Sequence, residues 1–289
     1  MNDFGMLVYH YTSLDGLAGI IKSQKIWATH TSYLNDASEL IYSRELIYSA
    51  LDKLQEKNIA HNGDKKDLSL RAFIADIKEL IDKLLPSKNF GIYVCSFSEQ
   101  KDLLSQWRAY SQNGIGFSVG FSLERLIEGA GINPYDIGLC NYDEEDQLSK
   151  VEELVNKDFA KSILEAIDDL KRNSSDSKLK ELTEKFIDKF LNLSVQMKHP
   201  DFAEEQEWRL ITEASPKNGL SIRFRSKSSM LIPYVEIPLP KQDSKLEIDE
   251  IIIGPSNDHS LSRLSLDILL ESCNVTCHSI SNSTIPYRV

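Results

Sequence analysis

The sequence is poor in cysteine, with only four such residues scattered among 289. Scattered thiols in a chain of this length are typical of a reducing compartment and do not indicate a disulfide framework. No apolar run approaches the roughly 20 residues that a membrane-spanning helix needs. The start of the chain also lacks the basic, apolar and small-residue segments of a signal peptide. We therefore expect a cytoplasmic protein without a membrane partner.

Basic residues are outnumbered, since 33 Lys and Arg face 44 Asp and Glu and give a net charge of -11 at pH 7. An acidic field repels phosphate backbones unless a local basic patch overrides it, so nucleic acid is not favoured as a partner. Metal ligands are also sparse. Cys273, Cys277 and His278 lie close in sequence, but strand-like alternation puts Cys277 and His278 on opposite faces, and no metal is expected.

What the sequence does contain is a regular alternation of strand-like and helical segments. Strand patterns occur near both ends of the chain, as at 6–11 and 248–253, whereas about 36–86 and 143–199 have helical periodicity. A chain of 289 residues could form one large domain or two ordinary ones. We predict a single α+β domain over 1–289, with a mixed central sheet and helical insertions at those two ranges.

The first candidate site is the segment Tyr9-His10-Tyr11-Thr12-Ser13, which ends the first strand and supplies capping hydroxyls, from Thr12 and Ser13, for the helix that follows. His10 lies at a strand end beside a helix N-terminus, where backbone N–H groups can hold an anionic or polyhydroxyl ligand. Strands also bury His and Tyr for packing alone, and periodicity by itself favours that structural role for His10.

Two further candidates follow from residues that local structure does not explain. Tyr33 lies in a predicted polar loop at 29–36. Asp36 and Glu39 form a capping box there, which accounts for these two residues but not for Tyr33. Arg108 follows Trp107, which we assign to the core. Its guanidinium could bind phosphate in a fork geometry that Lys lacks.

The densest set of carboxylates lies at 204–207, where it enters a strand predicted at 207–213. Alternation sends Glu207 and Arg209 to one face of that strand and Trp208 to the other. A partly buried ion pair and a catalytic carboxylate are both consistent with this pattern, because a desolvated carboxylate beside a cation occurs in either setting.

Several separated blocks, in order along nearly the whole chain, resemble the bacterial domain of unknown function 2971 family. The blocks are 9–13, 34–39, 95–98, 103–107, 205–209, 252–255 and 285–288. The first block is also similar to the start of the ADP-ribosyltransferase-like fold, in which a first-strand His precedes a helix with the pattern Leu17-x-x-Ile20.

This second resemblance implies a mainly antiparallel split sheet and an enzyme that consumes NAD, either by ADP-ribose transfer to a macromolecule or by hydrolysis. His10 would hold the NAD ribose and Tyr33 would stack on nicotinamide. Glu207 would be catalytic, because the reaction passes through an oxocarbenium-like state that a carboxylate stabilises.

The resemblance also implies roles for the remaining candidates. Tyr11, Thr12 and Ser13 would line the cofactor site, and Arg108 or Arg209 would meet the pyrophosphate. It points to a toxin or anti-phage effector with a macromolecular target, such as a protein, and a neutralising or regulatory protein partner.

The rival hypothesis is a non-catalytic module that senses a ligand or binds a protein, in which His10 and Glu207 pair within the core. A metal-dependent nuclease ranks last, because the chain has no spaced set of Asp, Glu and His residues and its net charge is unfavourable.

Overall fold

The structure is a computed structural model, and it divides the chain into two compact units. The first unit comprises Met1–Asn35, Gly91–Cys140 and Glu204–Val289, and the second comprises Asp36–Phe90 and Asn141–Ala203. The residues described are 5–34, 38–62, 64–84, 91–111, 115–130, 135–160, 162–163, 165–166, 177–213, 220–227, 229–242, 245–255 and 258–286. The two segments of the second unit overlap the ranges predicted as helical insertions.

Within the described residues, eleven strands and eight main helices alternate along the chain. The strands are Leu7–Thr12 (β1), Lys25–His30 (β2), Ile92–Ser98 (β3), Phe117–Ser122 (β4), Asp136–Leu139 (β5), Glu207–Glu213 (β6), Arg223–Lys227 (β7), Met230–Pro238 (β8), Lys241–Gln242 (β9), Lys245–Ile253 (β10) and Thr276–Asn282 (β11). The helices are Leu14–Ser23 (α1), Ser38–Asn62 (α2), Asp64–Leu84 (α3), Leu104–Tyr110 (α4), Leu123–Ala130 (α5), Glu144–Glu153 (α6), Ser177–Ser194 (α7) and His259–Ser272 (α8).

The strands form one sheet in the first unit, in the order β11-β10-β4-β1-β3-β2-β8-β7, with β6 beside β3, β5 beside β6 and β9 beside β10. Among the described pairings only β10 and β11 run parallel, and the others are antiparallel. The predicted fold class, α+β with a mixed and mainly antiparallel sheet, is confirmed.

The central strand β3 shares one of its edges between two neighbours. Strand β6 pairs along the whole of β3, from Ile92 to Ser98, and so occupies one edge. On the other edge β1 pairs at Ser98, whereas β2 pairs at Tyr93 and Val94. The sheet is therefore split at residues 95–97 of β3, where β1 and β2 diverge. Helix α1 connects these two strands.

The two faces of the sheet differ in character. On the core face, apolar side chains such as Val8 pack against α1, α5 and α8, with Leu266 of α8 among the buried contacts. Directly opposed residues of an antiparallel pair project from the same face. The pairings of Tyr9 with Ser98 and of Ser98 with Glu207 place these three residues on the opposite face, which we call the polar face.

The second unit is helical and has its own apolar core. Helices α2 and α3 contribute residues such as Ile47 and Ile77, and α7 contributes Phe186. Phe159, in a π-helical turn after α6, has its ring centroid 4.2 Å from that of Phe186 and 5.8 Å from that of Phe73. No helix in the described part of the chain is long and apolar enough to cross a membrane.

Some local predictions require correction. Thr29 and His30 belong to β2 and not to a loop, and Thr31–Tyr33 forms a 3-10 turn. Helix α5 and strand β5 were not predicted. The capping box of Asp36 and Glu39 lies outside the described residues and side chains.

Asp102 links the end of the chain to α4. Its carboxylate accepts hydrogen bonds from Trp107 Nε1 at 2.8 Å, Ser283 Oγ at 2.6 Å and the Thr284 backbone N–H at 2.8 Å. Burial alone would raise the pKa of Asp102, but these hydrogen bonds outweigh it and lower the pKa below its ordinary value. The stabilisation is therefore present at neutral pH and is lost as pH falls below about 4.

The substitution Asp102→Asn should lower the free energy of unfolding at pH 7 by about 1–3 kcal/mol, because charge-assisted hydrogen bonds are lost. Urea denaturation between pH 7 and pH 3 measures the free energy of unfolding, and the difference between the variant and the wild type should become smaller as the pH falls. Asp267→Asn is the control, since Asp267 is an exposed carboxylate paired with Arg263 on α8. Equal stability of the two variants at pH 7 would contradict the role of Asp102.

Candidate functional site

His10 lies at the split in the sheet, where it joins β1 to β3. Its Nδ1 atom donates a hydrogen bond to the Ser96 carbonyl at 2.9 Å and lies 3.6 Å from Cys95 Sγ. Its ring centroid is 5.8 Å from that of Phe97. Burial lowers the pKa of the His10 imidazole, and the positive charge of Arg225 lowers it further. The hydrogen bond to Ser96 raises the pKa but is outweighed. His10 is therefore neutral at pH 7.

Thr12 and Ser13 have local structural tasks at the start of α1. The Ser13 hydroxyl caps this helix by accepting from the Gly16 backbone N–H at 3.1 Å. Thr12 is buried, and its hydroxyl lies close to Gly16. A Cβ atom at position 16 would be 2.0 Å from Thr12 Oγ1. The capping hydroxyl that the sequence indicated is confirmed. Binding of a cofactor by either residue stays a prediction.

Tyr11 fixes the loop that leads from β3 to α4. Its hydroxyl donates to the Gln100 carbonyl at 2.6 Å and accepts from the Leu103 backbone N–H at 2.9 Å. Its ring makes an edge contact with the buried Trp107 at 4.8 Å between centroids. Burial raises the pKa of Tyr11. The assignment of Trp107 to the core is thus confirmed.

Glu207 and Arg209 form a buried ion pair on the polar face of β6. Arg209 Nε donates to Glu207 Oε1 at 2.9 Å and Nη2 donates to Oε2 at 3.0 Å, so both carboxylate oxygens are held. The two residues are only 3% and 2% exposed. Gln206, immediately before them, has a positive φ of 42°, which is uncommon for a residue with a side chain. The ion pair, one of the two alternatives that the sequence left open, is present and is more deeply buried than alternation alone required.

His10 and Glu207 project from opposite faces of the sheet. Tyr9 shares the face of Glu207 through Ser98, and His10, one residue further along β1, points the other way. The hypothesis that His10 and Glu207 pair in the core is therefore wrong, because the strand register places them on opposite faces of the sheet. Tyr11, two residues from Tyr9, does share the face of Glu207 and Arg209.

Tyr33 and Arg108 occupy the remaining predicted positions. Tyr33 follows β2 in the 3-10 turn, is 38% exposed, and has its ring 5.8 Å from that of the buried His30. Arg108 lies on α4 with an exposed side chain. Their roles toward nicotinamide and pyrophosphate stay predictions.

Sequence reasoning missed a second polar-face cluster, formed by Trp27 of β2, Tyr234 of β8 and Arg225 of β7. The rings of Trp27 and Tyr234 lie 4.7 Å apart, and the Arg225 guanidinium lies 5.7 Å from the Trp27 ring centre. The strand predicted in this part of the sequence, at 220–224, ended before Arg225, and the pairing that brings β2, β7 and β8 together was not predicted.

The chain was compared with known families, curated proteins and solved structures. Residues 106–210 match the sequence model of a family described as a protein of unknown function, DUF2971, which supports the first resemblance. This range includes Glu207 and Arg209 but not His10. No curated protein and no solved structure matches. In the described residues, no group of three or more His, Cys, Asp or Glu side chains could hold a metal ion.

The ion pair yields a test by paired substitution. Arg209→Met should lower the free energy of unfolding by about 3–5 kcal/mol, because it leaves the Glu207 carboxylate buried without its cation. The double variant Glu207→Leu with Arg209→Met should regain most of that loss, since no charge is then left unpaired. Urea denaturation of both variants at pH 7 provides the comparison. A double variant no more stable than Arg209→Met alone would show that the charges are not coupled.

Proposed function

We propose that the protein is an NAD-consuming enzyme of the ADP-ribosyltransferase-like type, which transfers ADP-ribose to a macromolecule or hydrolyses NAD. The observation that carries the proposal is the buried carboxylate of Glu207, held at both oxygens by Arg209, one strand away from the split in the sheet. A fixed negative charge is what an oxocarbenium-like transition state requires.

The chemistry assigns distinct tasks to Glu207 and Arg209. The bond between nicotinamide and C1′ of its ribose breaks, and its electron pair leaves with nicotinamide. Glu207 stabilises the positive charge that develops on the ribose, and Arg209 keeps the carboxylate ionised and oriented. Water or a nucleophile of the target then bonds to C1′ and gives its proton to solvent or to Glu207.

For one ligand to meet both His10 and Glu207, the split in the sheet would have to open, because His10 closes it through Ser96. Since these residues project from opposite faces, NAD would have to pass between β1 and β2 beside residues 95–97 of β3. His10 Nδ1 is fixed by Ser96, and its Nε2 has no hydrogen-bond partner among the described residues. A neutral Nε2 can accept a hydrogen bond from a ribose hydroxyl.

The biological setting of the proposal is that of a cytoplasmic toxin or anti-phage effector, because NAD and macromolecular targets are both available there. A protein partner that neutralises or regulates the activity is part of the same proposal.

A non-catalytic ligand-binding module is the second candidate, and the same ion pair favours it. Both oxygens of Glu207 are engaged and both residues are nearly inaccessible, which is the geometry of a structural pair. In this case the protein would bind its ligand without releasing nicotinamide.

Incubation with NAD, followed by quantification of free nicotinamide, separates the two candidates. Wild-type protein should release nicotinamide, and Glu207→Gln should reduce the rate by about 100-fold or more while NAD binding is kept. Glu204→Gln, three residues earlier and exposed, should behave as the wild type. The assays are run well below the melting temperature of each variant, so that a lower stability of Glu207→Gln does not affect the comparison of rates.

Two outcomes would count against catalysis. Absence of NAD binding to the wild type at millimolar concentration would refute the proposal altogether. Binding of NAD without nicotinamide release would favour the ligand-binding module.

A further inference from the structure

Arg225 is a partly buried cation whose charge has no carboxylate partner in the described part of the chain. Its Nη2 atom donates to Thr29 Oγ1 at 2.9 Å, and its Nε atom is buried without a hydrogen-bond partner. Burial lowers the pKa of Arg225. A guanidinium in this position costs free energy unless an anion meets it, because burial removes its hydration.

A second unpaired donor lies beside this guanidinium. The indole Nε1 of Trp27 is also buried without a hydrogen-bond partner, and Arg225 lies over the same ring. A buried N–H left unpaired costs about 1–3 kcal/mol. Two adjacent unpaired donors indicate an acceptor group that the described part of the chain does not provide.

The contrast with Arg223 shows that the situation of Arg225 is specific. Arg223 lies two residues earlier on β7, projects from the same face, and is 56% exposed at its side chain. It pairs with Glu236 at 3.3 Å, and Lys25 reaches the same carboxylate at 3.2 Å. The neighbouring cations Arg223 and Lys25 thus share a carboxylate partner, whereas Arg225 has none among the described residues.

We propose that Trp27, Thr29 and Arg225 form an anion-binding site that takes the phosphate group of a nucleotide. A guanidinium fork matches phosphate oxygens, and the Trp27 N–H adds a neutral donor beside it. These groups share the polar face with Glu207 through the pairings of Thr29 with Val94 and of Val94 with Ile211.

The site deepens the proposed function by giving the diphosphate of NAD a binding position. Thr29 and Glu207 are separated by two strand spacings across the sheet and four residues along β6. With spacings of about 4.8 Å and 3.3 Å this is roughly 16 Å between backbones, within reach of an extended dinucleotide. The anion site itself does not require that nicotinamide be released.

Titration with ADP, followed by calorimetry and by tryptophan fluorescence, tests the site. Arg225→Gln should weaken ADP binding by about tenfold or more, because a charge-assisted hydrogen bond is worth about 1.5–3 kcal/mol. Arg223→Gln is the matched control and should change affinity less than twofold. Trp27→Phe should weaken binding and abolish most of the fluorescence change, since the other two tryptophans lie on other elements, Trp107 on α4 and Trp208 on β6.

Stability provides an independent measurement. Without ligand, the melting temperature of Arg225→Gln should equal or exceed that of the wild type, because the substitution removes an uncompensated buried charge. A marked loss of stability would show that Arg225 is a structural residue and would overturn the site.

The remaining outcomes separate this inference from the proposed function. ADP binding that depends on Arg225, without nicotinamide release, would keep the anion site and reject the enzyme. Failure of the wild type to bind ADP at millimolar concentration, or equal effects of Arg225→Gln and Arg223→Gln, would overturn the anion site, whatever the result with NAD.

Discussion

The buried ion pair between Glu207 and Arg209 is the interaction on which the candidate site depends. Removing two charges from water costs several kcal/mol for each ion, and only the two-point geometry with further hydrogen bonds offsets that cost. The pair lies on β6, which β3 holds along its whole length and β5 covers on the other edge. The sheet therefore fixes the backbone that carries the carboxylate, and such rigidity would serve a catalytic site or a binding site alike.

The second constraint is the shared edge of β3. Because β1 and β2 occupy only its two ends, the segment between them has no neighbouring strand on that edge, and His10 closes it through Ser96. Polar groups from both sides converge on this region. Arg225 approaches closely enough to lower the pKa of His10, although the two residues belong to strands that are far apart in the sheet order.

Sequence periodicity predicted the strands well where alternation was strong and bulky residues marked the two faces. The strand Glu207–Glu213 was predicted with the bounds that it has, because Trp208 and Leu210 alternate with Glu207 and Arg209. Helix α5 and strand β5 were missed, since both are short and the four-residue β5 contains a glycine.

The arrangement of the site was less accessible to sequence reasoning than the strands themselves. Whether His10 meets Glu207 depends on the register of three strands, and a shift of one residue would reverse the answer. Arg225 was overlooked for a related reason. Only the pairing of β7, β8 and β2 shows that it has no carboxylate partner among the described residues.

The most direct test of the central claim is a crystal structure with an NAD analogue whose glycosidic bond resists cleavage. If Glu207 is catalytic, C1′ of the nicotinamide ribose should lie within about 3.5 Å of a Glu207 oxygen, as a near-attack geometry requires. A ligand bound elsewhere, with Glu207 still enclosed by Arg209 and inaccessible, would contradict it.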